Sequence, residues 1–267
     1  MSTKRTHDGW ELREAGPANA AHTVLMLPGG LCSAEFYEDL LAEPKLASFH
    51  LIAATVPGFG RTTPPDDVTM ENYAHLVGKL AADVGCDVLV GHSMGANVAL
   101  EAAALGTFSG PVALLSPSFS REDEFKVLSV LDKIGRVPGL GRLIWSLGIK
   151  GAASDVKKRG PEARREALAA DMANNDAGFC RRSVHEYFAY LDRYGTLVDR
   201  LCTSGAKAWV VFGENDEVKL QDEERRGLQA CPSVTMVTVP DGTHMFLVEQ
   251  PAHTADVIAV AAASLDA

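Results

Sequence analysis

The sequence predicts an α/β fold: a mainly parallel central sheet with helices on both faces, plus a helical insert. Three observations predict it. Short apolar runs alternate with amphipathic helical stretches along most of the chain, the pattern of a parallel sheet covered on both sides. The pentapeptide Gly91-His92-Ser93-Met94-Gly95 joins an apolar run to a helix-forming run. From about residue 119 to 202, helical patterns follow one another with no strand between them. The predicted organisation is therefore a core from residues 1–118 and 203–267, interrupted by a helical cap at 119–202.

Taken in order, residues 10–15 form a short first strand, after a polar stretch. The apolar run 23–27 is a strand that enters Pro28-Gly29-Gly30, and 33–46 is helical in pattern. Residues 51–56 form the next strand, ended by Pro57-Gly58-Phe59-Gly60. Thr69 opens a helix to Val84, with Tyr73, Leu76, Val77 and Leu80 at helical spacing and Glu71 in the first turn. Residues 86–90 are the strand before the pentapeptide, and 96–105 the helix after it. Residues 111–116 form another buried strand. Residues 209–212 and 234–239 complete the sheet, around a charged helix near 222–228. Residues 251–265 make a last amphipathic helix. Inside the insert, Val127, Val130, Leu131 and Ile134 form one apolar stripe, and Leu140, Leu143, Ile144 and Leu147 a second. Both are expected to pack in the cap interior. Residues 161–172 and 180–194 continue the helices.

The chain has 267 residues, 46% of them hydrophobic, and a net charge of −10. This is the composition of an ordinary globular protein. The acidic balance argues against nucleic acid or an anionic membrane surface as the main partner. No apolar stretch approaches the ~20 residues that span a bilayer. The polar N-terminus lacks a signal-peptide core, so a cytoplasmic location is expected. The five cysteines, Cys32, Cys86, Cys180, Cys202 and Cys231, are scattered. They suggest neither a disulfide framework nor a zinc site.

A serine in G-x-S-x-G at a strand-to-helix turn is held in a strained conformation with its hydroxyl lifted clear of the sheet. The flanking glycines avoid collision with the neighbouring strand and helix. The new helix aims its N-terminus at the serine, where negative charge would develop. Ser93 is therefore the candidate nucleophile. A serine hydroxyl needs a base. Of the eight histidines, His244 is the best placed, in the loop Pro240-Asp241-Gly242-Thr243-His244 just after the last strand. His92 adjoins Ser93 but should point away from its hydroxyl, His185 lies in the insert and His253 on the final helix. The imidazole needs a carboxylate to fix its tautomer. Asp216, in Gly213-Glu214-Asn215-Asp216 after the strand 209–212, is the candidate, with Glu214, Asp241 and Asp123 as rivals. Backbone donors for an oxyanion are expected from Met94 and from Gly30, with Leu31 as the shifted register.

These motifs, in the order Ser93, Asp216, His244, resemble the α/β-hydrolase fold superfamily in its capped form. The resemblance runs from Trp10 to the last helix. Many members carry His-Gly before the oxyanion loop where this chain has Pro28-Gly29. Serine as nucleophile separates the chain from the haloalkane dehalogenase and epoxide hydrolase branches. The resemblance implies a serine hydrolase acting on an ester-like bond, a carboxylic ester or a thioester, through an acyl-enzyme. It implies no cofactor or metal. Editing thioesterases of assembly lines share these motifs, cofactor-free perhydrolases the same triad, and ligand-binding receptors that turn over slowly or not at all the same fold. All three remain alternatives, although an intact triad argues against pure binding.

The expected partner is a small, largely apolar acyl substrate, with no nucleic acid and no membrane span. Phe59, Phe119, Leu131, Leu143, Tyr187 and Met245 are the candidate pocket residues. The basic cluster Lys157-Lys158-Arg159 with Arg164-Arg165 reads as a solvated helix face.

Overall fold

The four parallel strands at the centre of the sheet are buried along their whole length and mostly apolar, because helices cover both of their faces. The computed structural model describes residues 2–137 and 140–266. Its sheet contains β1 (Thr3–His7), β2 (Trp10–Ala15), β3 (Thr23–Leu27), β4 (His50–Thr55), β5 (Val88–His92), β6 (Val112–Leu115), β7 (Ala208–Gly213) and β8 (Val234–Val239), in the order β1-β2-β4-β3-β5-β6-β7-β8. β1 and β2 pair antiparallel, as do β2 and β4, and every other pair is parallel.

Alternate side chains serve two cores. Leu25 and Leu27 of β3 join one, with Tyr73 and Val77 of α2 (Met70–Val84, after α1 at Glu38–Leu41) and Val98 of α3 (Met94–Ala104). Val24 and Met26 join the other, with Tyr37, Leu40 and residues of the C-terminal helix such as Ile258. Thr69 caps α2 by accepting from Asn72 N–H at 3.3 Å, and Gly85 ends it in the left-handed region at φ 64°. A side-chain cap at one end and a left-handed glycine at the other thus bound the helix read from Thr69 to Val84.

Between β6 and β7 run α4 (Lys126–Gly135), α5 (Gly141–Arg159), α6 (Arg165–Ala173), α7 (Ala177–Tyr194) and α8 (Val198–Ser204). No strand occurs there among the described residues. α7 contributes Phe179, Phe188 and Tyr190 to the same core as the sheet. After β7 come α9 (Asp222–Ala230), then β8, α10 (Phe246–Glu249) and α11 (Pro251–Ala263). No helix among the described residues is long and apolar enough to cross a membrane.

Four features depart from the sequence reading. β1 is a strand, joined to β2 by Asp8-Gly9, both at positive φ (45° and 86°). An Asp-Gly pair between short alternating runs is a hairpin signal, masked here by the polar character of an edge strand. The helix expected at 33–46 breaks into short turns around α1, because Glu43 precedes Pro44 and is extended. Cys202 and Cys231 form a disulfide across α8 and the end of α9, with Cα atoms 5.7 Å apart. Pairing between residues so far apart in sequence is a product of tertiary approach that spacing alone does not encode. Finally, most of both insert stripes faces outward: Val127, Val130, Ile134, Leu140, Leu143 and Leu147 are exposed. Trp145 and Ile149 take the inner side of α5 instead. Periodicity gives a face but not which neighbour covers it.

Candidate active site

Parallel strands end together, so the loops after β3, β5, β6, β7 and β8 meet along one edge of the sheet. β5 registers Gly91 beside Leu27 of β3 and His92 beside Leu115 of β6. β7 registers Gly213 beside Val239 of β8. This brings residues 28–31, Ser93, Ser116, Asp216 and His244 to a common region.

Ser93 sits at the turn from β5 into α3, with φ 51° and ψ −124°. A non-glycine residue there is strained, and the surroundings hold it. Its N–H donates to Leu115 O (2.8 Å), and its carbonyl accepts from Ala96 N–H (2.8 Å) and Asn97 N–H (3.2 Å). The two flanking glycines are required by contact. A Cβ on Gly91 would overlap the Gly95 carbonyl, and one on Gly95 would overlap the carbonyls of Leu27 and Pro28. Ser93 itself is half-buried.

The loop after β3 lies against this turn. A Cβ on Gly29 would stand 3.0 Å from Ser93 Cβ, and one on Gly30 3.8 Å from Met94 Sδ. The loop closes with Cys32 N–H donating to Gly29 O (3.1 Å). The N–H groups of Gly30 and Leu31 therefore lie outside the turn's own hydrogen bond. Leu31 is held at φ 68°, and Asn175 Nδ2 donates to its carbonyl at 2.8 Å. Met94 is the first residue of α3, where backbone N–H groups lack intrahelical acceptors.

Asp216 and His244 are joined. His244 Nδ1 lies 2.9 Å from Asp216 Oδ1. A carboxylate only accepts, so Nδ1 carries the proton and Nε2 is left with its lone pair. Asp216 also accepts from Val218 N–H on Oδ1 (2.9 Å) and from Ser116 Oγ on Oδ2 (2.5 Å). Burial pushes the Asp216 carboxyl up, but the bonds from His244, Ser116 and Val218 outweigh it and hold it below its usual value. The rivals lie elsewhere. Glu214 is exposed and accepts from Asp241 N–H (3.1 Å), and Asp123 caps its own turn through Phe119 N–H and Ser120 N–H.

His92 is buried beside His244, with ring centroids 4.8 Å apart. Its Nε2 donates to His244 O at 2.9 Å. Burial, then the neighbouring His244, hold it down to a pKa of about 3, so it stays neutral. Among the described residues, Ser93 Oγ has no hydrogen bond to His244. Sequence reasoning placed His92 away from the serine hydroxyl but missed its bond to the histidine loop.

It also missed Ser116 and Phe125. Ser116 ends the β6 run at φ 51°. Phe125, just before α4, meets the His244 ring edge-on at 4.9 Å. The only signal for Ser116 was its place at a strand's carboxyl end, and for Phe125 there was none.

The pocket candidates differ in burial. Phe59 and Phe119 are fully buried, and Phe59 meets Phe179 edge-on at 5.0 Å. Tyr187 is buried and donates to Glu124 Oε1 (2.6 Å). Leu131 packs over Gly148, and Met245 is half-buried. Leu143 is exposed. His185 pairs with Asp132 in the insert (3.2 Å). Arg164 bonds Glu35 (2.8 Å) rather than standing free, while the side chain of Arg159 lies outside the described residues. Among the described residues one trio, His7, Asp8 and Asp83, has cation-ligand geometry. Both of its carboxylates already bond Lys79 Nζ, at 2.8 and 3.0 Å.

A sequence model of the Alpha/beta hydrolase family matches residues 24–257. Among solved structures, a carboxylesterase of the ammonia-oxidizing Thaumarchaeon Nitrososphaera gargenis superposes with a TM-score of 0.73 at 15% identity, covering 100% of both chains. E-2-(acetamidomethylene)succinate hydrolase gives 0.74 at 19%, again over 100% of both. The thioesterase domain of the curacin biosynthetic pathway gives 0.71 at 17%, over 97% of this chain and 99% of that one. At these identities the likeness is one of fold. No curated protein matches the chain in sequence.

Proposed function

This chain belongs to the alpha/beta hydrolase family, and from that premise we propose that it is a serine hydrolase cleaving an ester-like bond through an acyl-enzyme. The observation that carries the reading is the 2.9 Å bond from His244 Nδ1 to Asp216 Oδ1, on the same sheet edge as the strained Ser93. It leaves His244 Nε2 as the proton acceptor.

In this reading Ser93 Oγ attacks the carbonyl carbon while His244 Nε2 takes its proton. The developing oxyanion is held by the N–H groups of Met94 and of Gly30 or Leu31. His244 returns the proton to the leaving alcohol or thiol as the C–O or C–S bond breaks. Water, deprotonated by His244, then attacks the acyl carbon, and His244 returns that proton to Ser93 Oγ as the acyl–Oγ bond breaks and the acid leaves. Asp216 stays ionised and stabilises the imidazolium. The Ser93–His244 bond forms with substrate in place, as catalytic hydrogen bonds often tighten only in the complex.

Residues 119–202 act as the cap over the 1–118 and 203–267 core. Three contacts support this: Phe125 on His244, Ser183 Oγ on Met94 Sδ (3.8 Å), and Asn175 on Leu31. The buried, apolar neighbours of the site favour an apolar acyl group. Steady-state assays on a panel of acyl esters and thioesters test the reading. Multiple turnovers are expected on at least one series. Tight binding without product across the whole panel would assign the chain to a ligand-binding role instead.

A further inference from the structure

We propose that the outer face of the α4–α5 hairpin docks on an anionic lipid–water interface. The two helices pack against each other and turn their apolar rows outward. Val127 is 64% exposed and Leu147 60%, and Val130, Ile134, Leu140 and Leu143 are exposed beside them. A row of large aliphatic side chains in water costs free energy unless something covers it. The inner positions are already filled: Leu131 lies on Gly148, and Trp145 and Ile149 are buried. The outward rows are therefore not a core awaiting rearrangement.

Charge says what covers them. Residues 126–150 contain five basic residues and one acidic residue, in a chain of net charge −10. The acid, Asp132, is buried against Arg136. Lys126, Lys133 and Lys150 are exposed and have no carboxylate partner among the described residues. The overall charge, which argues against an anionic surface, hides a local patch of opposite sign. Aliphatic side chains flanked by lysines are the features that seat a helix in the headgroup region of an anionic bilayer. A second copy meeting this face across a two-fold axis would set lysines against lysines. A protein partner's usual anchors are absent too, because the outward rows carry no Trp, Tyr, Phe or Met. The docking neither requires nor supports the hydrolytic chemistry.

The test is flotation with vesicles of phosphatidylcholine containing about one third phosphatidylglycerol, against pure phosphatidylcholine. The wild type is expected to float with the anionic vesicles and to be released by high salt. Replacing Lys126, Lys133 and Lys150 together by Gln should weaken binding by on the order of 100-fold. Val130→Asp with Leu147→Asp should abolish it. All these side chains are exposed, so thermal unfolding and turnover of a small soluble ester should be unchanged. A wild type that ignores anionic vesicles, or variants that bind as it does, would overturn the proposal. So would a dimer in light scattering that Val130→Asp with Leu147→Asp splits, since the face would then belong to a second copy.

Discussion

Ser116 Oγ donates to Asp216 Oδ2 at 2.5 Å, occupying the carboxylate oxygen that His244 does not use. The bond comes from the end of β6 and so ties the neighbouring strand to the orientation of the acid. A hydrogen bond to a buried charge is worth about 1.5–3 kcal/mol. Ser116→Ala should therefore lower stability at neutral pH by about that amount. It should also lower kcat by about tenfold with little change in KM, because the acid loses one of its anchors while His244 keeps its partner. Asp216→Asn should keep the fold and lower kcat by about 10⁴-fold through the wrong imidazole tautomer. Asp123→Asn and Asp241→Asn should cost far less. Kinetics on the four variants check the ranking, and a larger loss at Asp123 or Asp241 would move the role.

Turnover should rise from acid toward neutral pH, because a protonated His244 cannot accept the serine proton. His92 cannot supply this limb. It is held near a pKa of about 3 by burial and by His244, and it is neutral throughout the range. His92→Asn should lower activity through the lost bond to His244 O yet keep the limb where it was. A pH–rate profile in which the limb vanishes with His92→Asn would contradict the assignment.

The second pH signature concerns stability. Asp123 and Glu224 are buried together, and burial, then the neighbouring Asp123, raise Glu224 from 4.5 to about 7. A carboxyl raised on folding binds more protons in the folded state than in the unfolded one. Its contribution is fully present below about pH 4.5 and is lost as pH rises through about 7. Glu224→Gln keeps a neutral donor at every pH. The urea midpoint of the wild type should fall relative to that variant between these values. Parallel curves for the two proteins would show that Glu224 ionises freely in the fold.

The sheet was legible because β3, β5, β6 and β7 are buried on both faces and read as unbroken apolar runs. The turn at Ser93 was legible because Gly91 and Gly95 have no room for a Cβ. Asp216 and His244 followed from their places after β7 and β8. What stayed hidden depends on contacts between distant segments. Ser116 reaches Asp216 across 100 residues of sequence, and Phe125 reaches His244 from the insert. The outward stripes of α4 and α5 have the same periodicity as inward ones. Only the burial of Trp145 and Ile149 on the opposite side tells them apart.

The most direct measurement is covalent labelling with a fluorophosphonate, followed by peptide mapping. One adduct is expected, on Ser93, with loss of both labelling and turnover in Ser93→Ala, the latter approaching 10⁶-fold, on the order found for triad serines. Labelling at another residue, or a Ser93→Ala protein that still turns over substrate at the wild-type rate, would contradict it.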